Sequence, residues 1–336
     1  MKISVLMSVY KEPIEWIRLS IDSILNQTFR DFEFIIICDN PEYTEGISLL
    51  KEYESKDKRI RLVFNEQNIG LTKSLNEGLR IATGEYIARM DADDISMTNR
   101  FEMQLSFLTH NPNVVACGSY IKVINAEGIE TERRQLLTKP KDIRNKLIFS
   151  SPIVHPVSMF KRVINGNIVK YNEGRRYSQD YALWVSLAAN YDLANVPEYL
   201  LSYRESQEQI SSKNHAEQQL CARLNSEDAI KALGLTISDN DKNVLFAITR
   251  EDNKDVTVEE IENSIYNLYK LNCDNKKVDI KALTRNFILI YCNYLPQNNP
   301  VLKSLTHFFN ISLKTRSFSI YCLLSLINKY RLKYKS

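Results

Sequence analysis

The tetrapeptide Asp91-Ala92-Asp93-Asp94 is the stretch whose residue types and spacing most directly suggest chemistry. Carboxylates one residue apart, just past an apolar run, can place oxygens around a hard divalent cation. Mg²⁺ and Mn²⁺ prefer such ligands and also bridge to substrate phosphates. The competing reading is a solvated turn in which Asp94 or Ser96 caps the next helix. Position bears on the choice, because ligands of open α/β sheets gather at the carboxyl ends of the strands.

Glycine content bears on it too. The 336 residues hold nine glycines, no two closer than the six positions between Gly78 and Gly84, and no GxG. A dinucleotide fingerprint and a P-loop both need clustered glycines so that backbone N–H groups can approach phosphate. A phosphorylated ligand here must therefore be neutralised by a metal or by basic side chains.

The elements that must position these residues follow from periodicity. Strand-like runs at Ile3 to Tyr10, Phe32 to Cys38, Ile60 to Phe64, Tyr86 to Met90 and Val114 to Ala116 alternate with helical patterns at Ile14 to Gln27, Thr44 to Lys56, Leu71 to Ala82 and Thr98 to Thr109. Near-continuous apolar strands alternating with amphipathic helices predict an α/β fold, a mostly parallel sheet flanked by helices. Further strands are expected around Tyr120 to Ile124, Val157 to Phe160 and Asp192 to Val196, with a helix from Tyr181 to Ala189. Between Pro197 and Pro296 there is no proline and one glycine, Gly234, which predicts an α-helical C-terminal region. A boundary near Ser211 divides residues 1–210 from 211–336.

The composition, 44% hydrophobic and 25% charged, is that of a globular protein and excludes wholesale disorder or a fibrous repeat. Six scattered cysteines without a CxxC pair argue against a zinc knuckle or disulfide framework, and the N-terminus does not read as a signal peptide, so a cytoplasmic setting is expected. No run reaches the roughly 18 apolar residues of a membrane span. The net charge of +3 conceals an asymmetry: after Asp279 come nine basic residues and no acidic one, so a region at −6 precedes a tail at +9. Basic segments carrying Phe287 to Tyr291, His307-Phe308-Phe309 and Tyr321 to Leu324 suit an anionic membrane surface. Nucleic acid is disfavoured, because no recognition motif accompanies the tail. Packing on the catalytic part, or a homodimer interface, is the other use of such a segment.

The segments MSVYKE, DSILNQT, NIGLTKSLNEGLRIATGEYIARMDADD and YSQDYALWVSLA resemble, in order and spacing, inverting family 2 glycosyltransferases of the GT-A fold, over roughly Lys2 to Ser211. The resemblance implies a nucleotide-diphospho-sugar site formed by Tyr10, Glu12, Asp39, Asn68, Gly70, Lys73, Asp91, Ala92, Asp93 and Arg204. It assigns Mn²⁺ or Mg²⁺ to Asp93 and Asp91, with Asp94 in support, and the catalytic base to Asp180. Asp39 would read the base, which favours a UDP-linked donor, since a carboxylate accepts from a pyrimidine ring N–H. His155, Gln179 and Trp184 fall on the acceptor side, although Trp184 also suits a core position. The chain departs from the family at Cys38 and Asn40, where Asp-Asp-Gly-Ser is frequent, and at Gln179, where Glu is frequent. Ser206 stands where relatives carry a metal-binding histidine, in the segment Tyr203 to Ser211 that resembles their donor-closing loop.

The expected activity is transfer of a sugar to a hydroxyl of a growing bacterial surface glycan, free or lipid-linked, with the enzyme peripheral at the inner face of the plasma membrane. A sugar nucleotidyltransferase is the enzymatic alternative, but MSVYKEP lacks its glycine-rich loop. A non-catalytic sugar-nucleotide-binding scaffold is the other.

Overall fold

The computed structural model describes residues 1–206, 215–249, 256–298 and 300–333. Its first half winds as β1 (Ile3–Val9), α1 (Ile14–Leu25), β2 (Phe32–Cys38), α2 (Thr44–Lys56), β3 (Ile60–Phe64), α3 (Leu71–Ile81) and β4 (Tyr86–Asp91). Every residue of β1 and β2 is buried, the condition that calls for apolar side chains on both strand faces. Alternation then sorts them. Val5, Met7, Phe34 and Ile36 join Ile17 and Ile21 of α1 in one core, while Leu6 and Ile37 meet α3 at Gly78, where a Cβ would lie 3.1 Å from each.

The chain continues through β5 (Ile95–Ser96), α4 (Arg100–His110), β6 (Val114–Ile124), β7 (Glu130–Arg134), α5 (Pro140–Lys146), β8 (Met159–Lys161), the small hairpin β9 (Val163–Ile164) and β10 (Asn167–Ile168), α6 (Gln179–Ala188) and β11 (Asp192–Arg204). The main sheet has the order β3-β2-β1-β4-β8-β6-β11-β5, with β7 also paired to β6. β3, β2, β1 and β4 are parallel; β8 runs antiparallel between β4 and β6; β11 is parallel to β6. The carboxyl ends of β1, β2, β4, β6 and β11 therefore share one edge. Buried Arg100 ties the centre together, donating to the carbonyls of Arg89 on β4 (2.7 Å) and Ser158 before β8 (3.3 Å).

Two sequence expectations change here. The runs around Val114 and Tyr120 form one eleven-residue strand, and the run from Asp192 extends through Pro197 to Arg204. The pairing of β11 with β6 slips between Val196 and Tyr199, so Pro197 occupies an irregularity where a missing N–H is tolerated.

Contacts divide the chain into two units, residues 1–143 with 150–225, and 144–149 with 226–336. The boundary expected near Ser211 falls outside the described residues; the division lies inside α7 (His215–Ala232), after Asn225. The second unit is helical, with α8 (Asp239–Thr249), α9 (Val258–Asn272), α10 (Ile280–Asn298), α11 (Val301–Lys314) and α12 (Ile320–Lys333). Thr257 and Glu260 close a capping box on α9. Ile261, Ile265, Leu283, Phe287, Tyr291, Phe308 and Leu326 form the unit's own core. Among the described residues, no helix is long and apolar enough to cross a membrane.

Candidate active site at the carboxyl edge of the sheet

At the tip of β1, the Tyr10 N–H donates to Glu12 Oε2 (2.8 Å), and the Tyr43 hydroxyl donates to the Glu12 carbonyl (2.6 Å). Burial raises the Glu12 pKa. At the tip of β2, Asp39 is 3% exposed. It accepts from Asn65 Nδ2 (2.7 Å) and from the N–H groups of Ile69 (2.9 Å) and Gly70 (2.8 Å). Asn68 Oδ1 shares the Gly70 N–H (2.9 Å). Asp39 thus shapes the loop that leads into α3, and a base N–H could reach only its remaining lone pairs. Gly70 turns the chain at φ +84°, a conformation that penalises a side chain.

A cleft of about 340 Å³ opens beside this turn, lined by Gln67, Asn68, Ile69, Gly70, Thr72, Lys73, Glu173 and Arg176. Its lining mixes hydrogen-bond donors with acceptors, Glu173 among the latter. Gly70 supplies α3 with no side-chain cap, and the buried Thr72 Oγ1 has no hydrogen-bond partner among the described residues. Lys73 and Arg176 add two cations at the mouth. Asn76 holds the loop that carries this far wall, donating to the Tyr171 carbonyl and to Glu173 Oε1 (both 3.1 Å).

β4 delivers Asp91 to the edge, and the turn through Ala92 presents Asp93 and Asp94 before β5. Ser20 donates to the Asp91 carbonyl (2.8 Å), and buried Arg89 pairs with the Asp91 carboxylate. One oxygen each from Asp91, Asp93 and Asp94 lies within 4.8 Å of the others. Asp94 is fully buried; its Oδ1 accepts the Arg204 N–H (2.7 Å), while Oδ2 has no partner among the described residues. Burial, then the charges of Asp93 and Asp91, push its pKa well up. An orphaned buried oxygen inside three crowded carboxylates is the arrangement that a hard cation relieves, so these residues fit Mg²⁺ or Mn²⁺.

Arg204 is placed differently from its expected contact with phosphate. The side chain is 1% exposed. It donates to the carbonyls of Asp93 (2.8 Å), Asn125 and Ala126 (both 2.9 Å), and its guanidinium lies 4.7 Å over the Trp16 ring. It holds the Asp93-Asp94 turn rather than a ligand. Of the expected closing loop, residues 207–211 lie outside the described residues.

Asp180 sits in the first turn of α6, two residues past the N-cap Ser178. Ser151 Oγ donates to the Ile153 carbonyl (3.0 Å) and more weakly to Asp180 Oδ2 (3.4 Å). Burial raises the Asp180 pKa and the charge of Asp91 adds to the rise, while Ser151 works against it. His155 Nε2 lies 2.9 Å from the Tyr171 hydroxyl. Burial, reinforced by Arg89, holds its pKa well below the usual imidazole range, so it is a neutral partner and not a group titrating near neutrality. Trp184 is fully buried, edge-on to Phe160, which removes it from the acceptor side and leaves it a core residue. Gln179, next to Asp180, is 7% exposed.

A sequence profile described as Glycosyl transferase family 2 matches residues 4–168. An uncharacterized glycosyltransferase of Methanocaldococcus jannaschii is 39% identical over 204 residues, covering 60% of this chain and 70% of the relative. The chain belongs to glycosyl transferase family 2. The O-antigen biosynthesis glycosyltransferase WbnJ of Escherichia coli is 35% identical over 208 residues, 60% of this chain and 79% of the relative. Residues 1-349 of S. aureus TarS, solved in complex with UDP-GlcNAc, superpose with a TM-score of 0.58 at 16% identity, covering 94% of this chain and 92% of that one. That likeness supports the GT-A fold of this family 2 glycosyltransferase.

Four residues of the site escaped the sequence reading in whole or part. Asp94 is a candidate third ligand oxygen where a histidine was looked for. Thr72 and Arg176 line the cleft, and Ser151 bonds to Asp180. Apart from Asp94, which belongs to the Asp-rich tetrapeptide, none has a signature: Thr72 reads as an ordinary first-turn residue, and Ser151 approaches Asp180 from 29 positions away.

Proposed function

We propose that this family 2 enzyme transfers a sugar, with inversion, from a UDP-linked donor to a hydroxyl of a growing surface glycan, carried on a lipid at the inner face of the plasma membrane. The observation that carries the reading is the turn Asp91-Ala92-Asp93-Asp94, which gathers three carboxylate oxygens at the carboxyl edge of the sheet, with Asp91 near enough to Asp180 for its charge to add to the rise in that group's pKa. A half-buried carboxylate of raised pKa is a competent base near neutral pH.

Asp180 takes the acceptor hydroxyl's proton as that oxygen bonds to the anomeric carbon. The anomeric C–O bond to the β-phosphate breaks, and nucleoside diphosphate departs with the electron pair. Asp91, Asp93 and Asp94 would hold Mg²⁺ or Mn²⁺, which supplies charge to offset the diphosphate. Arg89 and Ser20 fix Asp91, and Arg204 fixes the turn that follows. Lys73 and Arg176 at the cleft supply positive charge for the donor's diphosphate, and the preference for UDP rests on Asp39 accepting from a pyrimidine ring N–H. Tyr10, Glu12, Asp39, Asn68 and Gly70 frame the nucleoside, with Ala92 keeping the turn compact. WbnJ's part in O-antigen biosynthesis supports a surface glycan as product.

A panel of nucleotide sugars with Mn²⁺ or Mg²⁺, scored by nucleoside diphosphate release, tests the donor; the UDP sugars should be the substrates. Asp180→Asn should lower kcat by about 10²-fold or more with donor affinity intact. Full turnover in that variant would remove Asp180 from the chemistry.

A further inference from the structure

We propose that the outward faces of α11 and α12 form a docking surface for an anionic lipid membrane. This deepens the lipid-linked reading above by naming the surface, but it rests on different residues. α11 is apolar on two sides. Phe308 and Ile311 turn into the core, fully or nearly fully buried, whereas Leu302 is 79% and Leu313 74% exposed. Leu302, Thr306, Phe309 and Leu313 follow one another at spacings of four, three and four, so they make one stripe along the helix. Lys303 and Lys314 stand exposed beside it.

The pattern repeats in the next helix. Cys322 and Leu326 of α12 are buried, while Ile320 (60%), Leu324 (51%) and Ile327 (37%) form an exposed stripe at spacings of four and three. Phe318, between the helices, is half exposed and stacks on Phe309, with ring centroids 6.2 Å apart and planes 12° from parallel, so the α11 stripe continues into the connector. Exposed apolar faces of this extent signal an interaction surface, since a monomer in water gains nothing from them.

Charge selects the occupant. After Asp279 the chain carries nine basic residues and no acidic one. Pairing this face with a second copy would bring two such segments together, and like charges across an interface oppose binding. An anionic lipid surface offers both the apolar layer and the opposite charge. Because no described helix can span a bilayer, the expected contact is peripheral.

The test is cosedimentation of the full chain with phosphatidylcholine vesicles, with and without about 30% phosphatidylglycerol. Binding should require the anionic lipid and weaken as salt rises. The pair Leu302→Ser with Leu313→Ser, and separately Lys303→Gln with Lys314→Gln, should each reduce binding about tenfold or more. Equal binding to neutral vesicles, no binding, or unchanged binding by both variant pairs overturns the proposal. So does a wild-type dimer that the leucine substitutions convert to monomer, which would make the face an interface between copies. Nucleoside diphosphate release from free donor, measured on the same samples, should be unchanged. If wild type releases none, the transferase reading fails while the vesicle result stands.

Discussion

Burial raises the pKa of both Asp180 and Asp94, but their surroundings give the two carboxylates different uses. Asp180 keeps a hydroxyl partner, and the rise suits the base role proposed for it. Its ionised form is populated only above the raised pKa, so kcat should fall as pH drops through a value higher than that of an ordinary aspartate. Ser151 lowers that pKa, so Ser151→Ala should move the acid limb of the kcat profile to higher pH; an unmoved limb would detach the profile from Asp180. Asp94 has neighbours of its own sign and an orphaned oxygen, so without a cation its ionised form costs stability. Asp94→Asn keeps an acceptor for the Arg204 N–H. It should therefore leave the metal-free unfolding midpoint equal or higher, while Mn²⁺ affinity, followed by titration, drops about tenfold or more. A lower midpoint with unchanged Mn²⁺ binding would make Asp94 purely structural.

At the scale of elements, the loop from β3 to α3 joins Asp39 to the cleft. Ile69 and Gly70 are pinned by Asp39, and the positive φ at Gly70 aims the uncapped first turn of α3 at the space beside Arg176. A Cβ there meets only the Arg176 guanidinium at 3.8 Å, so Gly70→Ala is penalised by backbone strain and not by a clash. It should cost about 1–3 kcal/mol and raise the donor KM with little change in kcat; an equal loss of kcat would place Gly70 closer to the chemistry. The strands that carry these loops were legible because β1 and β2 are buried on both faces and so are written as unbroken apolar runs. β11 was truncated in the reading because Pro197 looks like a terminator, and only its pairing with β6 reveals the irregularity that accommodates it. Asp39 and the Asp91-Asp94 turn stand out as candidates because carboxylates beyond a strand do, whereas Asp180, in the first turn of α6, is named only by the resemblance. The use of Arg204 was not, because a guanidinium bound to three backbone carbonyls and one bound to phosphate look identical in a string of residues.

At the scale of the whole molecule, every residue proposed for donor and base chemistry, from Tyr10 to Arg204, belongs to the first unit, whereas the exposed stripes of α11 and α12 belong to the second. Each unit has its own apolar core, which makes the assignment of the donor site to one of them testable by linkage. Ile36→Ala removes a fully buried side chain of β2, and Phe308→Ala one of α11. Core truncations of these kinds cost about 2–5 kcal/mol. Bound ligand stabilises only what must be folded to bind it, by about 2.7 kcal/mol at a hundred times Kd. UDP with Mn²⁺ should therefore restore much of the midpoint lost in Ile36→Ala. In Phe308→Ala it should leave the transition of the helical unit where it was, as read by hydrogen exchange at the amides of α9 and α10. Protection of those amides to the same extent as β1 and β2 would mean that the helical unit takes part in holding the donor, and that the carboxyl edge of the sheet is only part of the site.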